Sequence, residues 1–94
     1  MRMKLAEIQI LKSKLKTLAS DAKLYLFGSR TDNSKQGGDI DLLVISKTLT
    51  KQDLRLLRVD FFNHFGEQKL DILLNDGSFK DPFHKIIYQK AVLL

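Results

Sequence analysis

Asp39 and Asp41 stand two positions apart in the segment GGDIDLLV, at the point where an apolar run begins. On a strand, alternate side chains share a face, so the two carboxylates point the same way, about 7 Å apart, while Ile40 points into the protein. Like charges that close raise each other's cost of ionisation unless a cation lies between them. Carboxylate oxygens with no thiolate or imidazole nearby suit Mg²⁺, or Mn²⁺, better than zinc. The pair reads as half of a metal site.

A complementary half lies upstream, where the apolar run Leu24-Tyr25-Leu26-Phe27 breaks at Gly28-Ser29-Arg30. A glycine closing a buried strand permits a sharp turn and close approach of a ligand to the backbone, and the N–H groups that follow can cradle phosphate oxygens. Ser29 adds a hydroxyl donor, and Arg30 adds a planar cationic fork suited to phosphate. Phosphate contacts on one side and a divalent cation on the other are the requirements of a nucleoside triphosphate site. A further acidic residue, Asp71, interrupts the apolar stretch KLDILL. A carboxylate there costs free energy unless it is used or faces water at a sheet edge.

The elements that must position these groups are legible as patterns. Residues 24–27, 39–45 and 69–74 read as strands, and Leu70, Ile72 and Leu74 share the face opposite Asp71. From about residue 3 to 19, Leu5, Ile8, Leu11, Leu15 and Leu18 recur at helical spacing, the pattern of a helix laid over a small sheet. Thr50 followed by Asp53 marks a helix start, Leu54, Leu57, Phe61 and Phe65 its apolar face, and Gly66 its stop. Along that helix Lys51, Arg55 and Arg58 form a cationic row, most simply a solvated face. Asp81 and Pro82 cap and open a last helix carrying Phe83, Ile86, Ile87 and Tyr88. The closing residues, Ala91-Val92-Leu93-Leu94, suit a strand or an interface. His64 and His84 have no second histidine or cysteine at ligand spacing, so packing or surface roles are expected of them.

Composition sets the outer bounds. The sequence has 94 residues, 44% hydrophobic and 29% charged, the proportions of one small soluble domain spanning 1–94. With no cysteine, disulfide frameworks and thiolate metal sites are excluded, and a reducing cytoplasmic location is expected. The opening MRMKLAEIQILK lacks the apolar core of a signal peptide, and no run approaches a membrane span. The net charge of +5 serves solubility or attraction to an anionic partner, but no cluster of cations or stacking aromatics marks nucleic-acid binding.

LFGSR followed after a short loop by GGDIDLLV resembles the nucleotidyltransferase superfamily that includes DNA polymerase β, and in particular its smallest bacterial members, the minimal nucleotidyltransferases. The resemblance implies an α+β fold, a small mixed sheet with helices mainly on one face. It implies that Asp71 is the third catalytic, metal-holding carboxylate beside Asp39 and Asp41, that two Mg²⁺ ions serve the site, and that Gly28, Ser29 and Arg30 bind the nucleotide. Where relatives continue with a second small-residue and arginine-glycine pattern, this chain has Thr31-Asp32-Asn33, and Lys35 is a cation within the same loop. Minimal members are commonly paired with a HEPN-type protein and act as antitoxins that move AMP from ATP to a tyrosine of a toxic ribonuclease. An acceptor-carrying partner is thereby implied, and the sequence leaves a homo- or hetero-oligomer open. Two other readings stay open: a non-catalytic subunit that neutralises a partner by binding, and a small basic nucleic-acid module.

Overall fold

The computed structural model describes residues 3–28 and 39–94. Among these residues the order of elements is helix α1 (Leu5–Leu18), strands β1 (Lys23–Phe27) and β2 (Ile40–Ile45), helix α2 (Lys51–Phe65), strand β3 (Leu70–Asn75), helix α3 (Pro82–Lys90) and strand β4 (Val92–Leu93). The strands form one mixed sheet in the order β3-β2-β1-β4. β1 is antiparallel to β2 and to β4, whereas β2 and β3 are parallel. A parallel pair needs a long crossover, and α2 supplies it.

Two apolar layers follow from strand alternation. Leu24 and Leu26 of β1, Ile40, Leu42 and Val44 of β2 and Leu70 of β3 face α1 and α2, where Leu11, Leu15, Leu54, Leu57 and Phe61 complete the main core. The opposite face carries Tyr25, Leu43 and Ile87 from β1, β2 and α3. Two helices therefore cover one face and α3 lies on the other, giving the α+β arrangement that the resemblance implied.

The helix ends obey local chemistry. At the start of α2 the Thr50 hydroxyl accepts from Asp53 N–H at 3.2 Å, and the Asp53 carboxylate accepts from Thr50 N–H at 3.0 Å. Asp81 accepts from Phe83 N–H at 2.9 Å ahead of Pro82. Glu7 is buried because its carboxylate accepts the Lys4 N–H at 2.9 Å, satisfying a donor that α1 leaves unpaired.

Several boundaries and faces differ from the sequence reading. The second strand begins at Ile40 rather than Asp39, and the third runs over Leu70–Asn75 rather than 69–74. Leu5 is exposed, although Met3 and Glu7 on either side of it are packed inward. Phe83 and Ile86 are exposed as well, and only Ile87 of α3 is buried, because a short helix on a small sheet inserts one narrow stripe. The C-terminal apolar residues are a strand: Val92 and Leu93 pair with β1, and Leu94 N–H donates to Leu24 C=O at 2.9 Å.

Candidate active site

The sheet brings all three aspartates to one rim. Asp41 and Asp71 are the second residues of β2 and β3, and these parallel strands are in register so that the two are direct neighbours. Adjacent strands lie about 4.8 Å apart, within reach of side-chain contact. The Asp41 and Asp71 carboxyl groups accordingly lie side by side at this rim. Asp39 lies just before β2, held at this rim by the Ile40 N–H, which donates to Lys69 C=O at 3.1 Å. That same bond brings Lys69 beside Asp39, and its Nζ stands 3.3 Å from Asp39 Oδ2.

Gly28 forms the opposite wall. Asp41 pairs with Phe27 across β1 and β2, so the next residue, Gly28, passes directly against the Asp41 side chain. Its φ is +77°, in the left-handed region, and a Cβ built there would meet Asp41 Oδ2 and lie 3.1 Å from its Cγ. Glycine is needed here for conformation and for space. Ser29 and Arg30, the other expected phosphate contacts, lie outside the described residues, as do Lys35 and the Gly37-Gly38 pair.

The electrostatics follow from this crowding. Asp41 is held above its ordinary value, first by burial and then by the charges of Asp71 and Asp39. Lys69 is pushed up by its hydrogen bond to Asp39 and by the rim's negative charge. Among the described residues the rim is an anionic cluster with the exposed Lys69 as counter-charge. Among these residues its donors are carboxylate oxygens, beside a glycine whose missing side chain makes room for the Asp41 carboxylate, so they fit a hard divalent cation. Among the described residues, no group of three acidic, histidine or cysteine side chains stands as a finished metal cage. Asp39 is engaged by Lys69, while Asp41 and Asp71 face each other.

Of the other side chains singled out in the sequence, Arg58 departs from expectation and the two histidines do not. Arg58, one of the cationic row on α2, donates through Nε and Nη2 to the Leu70 carbonyl at 3.3 and 3.1 Å. It covers an outward-facing peptide group rather than standing free in water. His84 is bonded through Nδ1 to the Asn75 side-chain amide at 3.1 Å, and His64 through Nδ1 to Asp60 C=O at 2.8 Å. Both are local packing contacts. Lys69 was not marked by the sequence as part of the site. Its position immediately before the strand that carries Asp71 is the signal that would have found it.

A family model described as a nucleotidyltransferase domain matches residues 8–94. The chain belongs to that family, and nucleotidyl transfer is the activity the family defines. A search of curated proteins finds no match. Family members generally use divalent metal ions and a nucleoside triphosphate, in agreement with the oxygen donors on the rim. Among the described residues no helix is long and apolar enough to cross a membrane.

Proposed function

We propose that these 94 residues act as one nucleotidyltransferase domain, transferring AMP from ATP to a hydroxyl of a partner protein. The specific acceptor in this reading is a tyrosine of a HEPN-type toxin, neutralised in the cytoplasm by the modification. The observation that carries the chemistry is the direct pairing of Asp41 with Asp71 on one face, beside the Gly28 backbone.

In this reaction the acceptor oxygen forms a bond to the α phosphorus, the bond from that phosphorus to the bridging oxygen breaks, and pyrophosphate leaves. Asp39 and Asp41 would hold one cation, and Asp71 would join them in holding a second. When bound, such a pair of ions supplies charge neutralisation of the attacking and leaving oxygens. Asp71 is exposed and accessible to an acceptor, and its carboxylate takes the hydroxyl proton. Gly28 and Ser29 position the β and γ phosphates, with Arg30 pairing to their charge. Positioning and electrostatics provide the rate, with no covalent intermediate on the protein. A cation held by Asp39 would compete with its ion pair to Lys69.

A second reading is neutralisation of the partner by binding alone. It is favoured by the Lys69–Asp39 pair, which engages one of the three carboxylates. One experiment separates the two. The purified chain is incubated with Mg²⁺, ATP labelled at the α phosphate and the protein that co-purifies with it. The transfer reading expects label on a partner tyrosine, lost in Asp41→Asn together with neutralisation. Unlabelled partner, still neutralised by Asp41→Asn, decides for binding alone.

A further inference from the structure

The sheet has two edges of unequal character. On one side β4 contributes only two residues, Val92 and Leu93, a length too short to template another strand. On the other side β3 presents six residues. The bonds from Ile40 N–H to Lys69 C=O and from Ser46 N–H to Asn75 C=O show which peptide groups of this strand face β2. They belong to the odd-numbered positions, so Leu70, Ile72 and Leu74 direct their N–H and C=O groups outward.

Arg58 covers the Leu70 carbonyl and nothing further along. Ile72 and Leu74 are half-buried, and beside them runs a cleft of about 460 Å³. Lys51, Arg58 and His84 line it over an apolar floor of Leu54, Ile72 and Leu74, and no carboxylate among the described residues lines it. Arg55, exposed and one turn after Lys51, extends the basic border. Natural edges are usually blunted by a charge on the strand, a proline or a bulge. This one has a charge, Asp71, at its rim end on the face away from the cleft, but keeps aliphatic residues at Ile72 and Leu74 with positive charge alongside them.

We propose that the outer edge of β3 is a docking site for an acidic, extended segment of a partner protein, which adds as a fifth strand. Main-chain bonds would form at Ile72 and Leu74, alternate apolar side chains would enter the cleft, and partner carboxylates would meet Lys51 and Arg58. A second copy of the chain is disfavoured as occupant. Pairing of two β3 edges would bring two Lys51, Arg55 and Arg58 rows together in a protein of net charge +5. Pairing here needs no nucleotide, so it stands apart from the transfer reading. It does bear on it, because Ile72 adjoins Asp71 and a docked partner would hold its acceptor close to the rim.

The test uses a capped peptide of alternating valine and glutamate, and its valine and lysine counterpart, titrated into the ¹⁵N-labelled chain. The expected result is that the acidic peptide alone shifts the Ile72 and Leu74 amides and protects them from exchange. Ile72→Pro removes an outward N–H and should abolish the effect while the Ile40 and Ser46 amides stay protected, reporting an intact β2–β3 ladder. If that variant does not fold, Lys51→Glu decides: it lies at the first position of α2, where a negative charge is tolerated, and should weaken binding roughly tenfold. Equal response to both peptides, shifts centred elsewhere, unchanged affinity in Lys51→Glu, or protection of Ile72 and Leu74 that grows with chain concentration alone would each overturn the proposal.

Discussion

Asp41 is where three physical demands meet: it is packed against Gly28, neighbours Asp71 across the ladder, and sits two residues from Asp39. Because its carboxyl is held above the ordinary value, the folded state binds more protons than the unfolded one between the two values. Stability therefore falls as pH rises through that interval. In chelator at neutral pH, Asp41→Asn should melt a few degrees above the parent, and added Mg²⁺ should raise the parent's Tm more than the variant's. A variant that melts lower in chelator and responds equally to Mg²⁺ would make Asp41 a structural residue. Gly28→Ala forces a Cβ into the Asp41 carboxylate at a left-handed φ, and should cost about 1–3 kcal/mol by urea denaturation. At this scale the spacing of Asp39 and Asp41 and the glycine after an apolar run were legible, because strand alternation and backbone freedom are local. Lys69 lay next to the legible strand of Asp71, but its pairing with Asp39 was not legible, since that contact depends on the parallel register of β2 and β3.

At the level of elements, the turn after α1 is tied to the end of β2 through one side chain. Asp21 accepts from Ser46 Oγ at 2.7 Å, from Lys47 N–H at 2.7 Å and from Thr48 Oγ1 at 2.9 Å. Ser46 in turn accepts from Thr48 and Leu49 N–H, organising the entry to α2. These bonds, that of Ser46 first, lower the Asp21 carboxyl below its ordinary value. The sign is the usual one for a carboxylate: stability is present above the unfolded value and lost as pH falls through the folded one. Asp21→Asn should lower the Tm at neutral pH, and the parent and variant should converge in acid, as a pH series of melting curves would show. In the sequence Ser20-Asp21 read only as a break between helix and strand, because its partners lie 25 to 27 residues away. The Thr50 and Asp81 caps, which rest on contacts within three residues, were legible in place. Phe79, with φ of +52°, carries no local signature of a left-handed residue. Its backbone N–H donates to the Asn75 side chain, and its ring packs on Tyr88 at 4.8 Å.

Over the whole molecule, the fold separates its tasks by face and by end. α1 and α2 build the main core on one side of the sheet, leaving the other side free to carry the aspartates at one end and α3 toward the other. The fold class was legible because apolar periodicity marks the three helices and the three longer strands. The exposure of Phe83 and Ile86 was not, because periodicity ranks a helix face without saying how much of it a small sheet can cover. The most direct test of the acidic rim is calorimetric binding of Mn²⁺ with a non-hydrolysable ATP analogue to the parent, Asp41→Asn and Asp71→Asn. Metal-dependent binding of the analogue to the parent is expected, weakened at least about tenfold in each variant. Equal binding by all three proteins would contradict it.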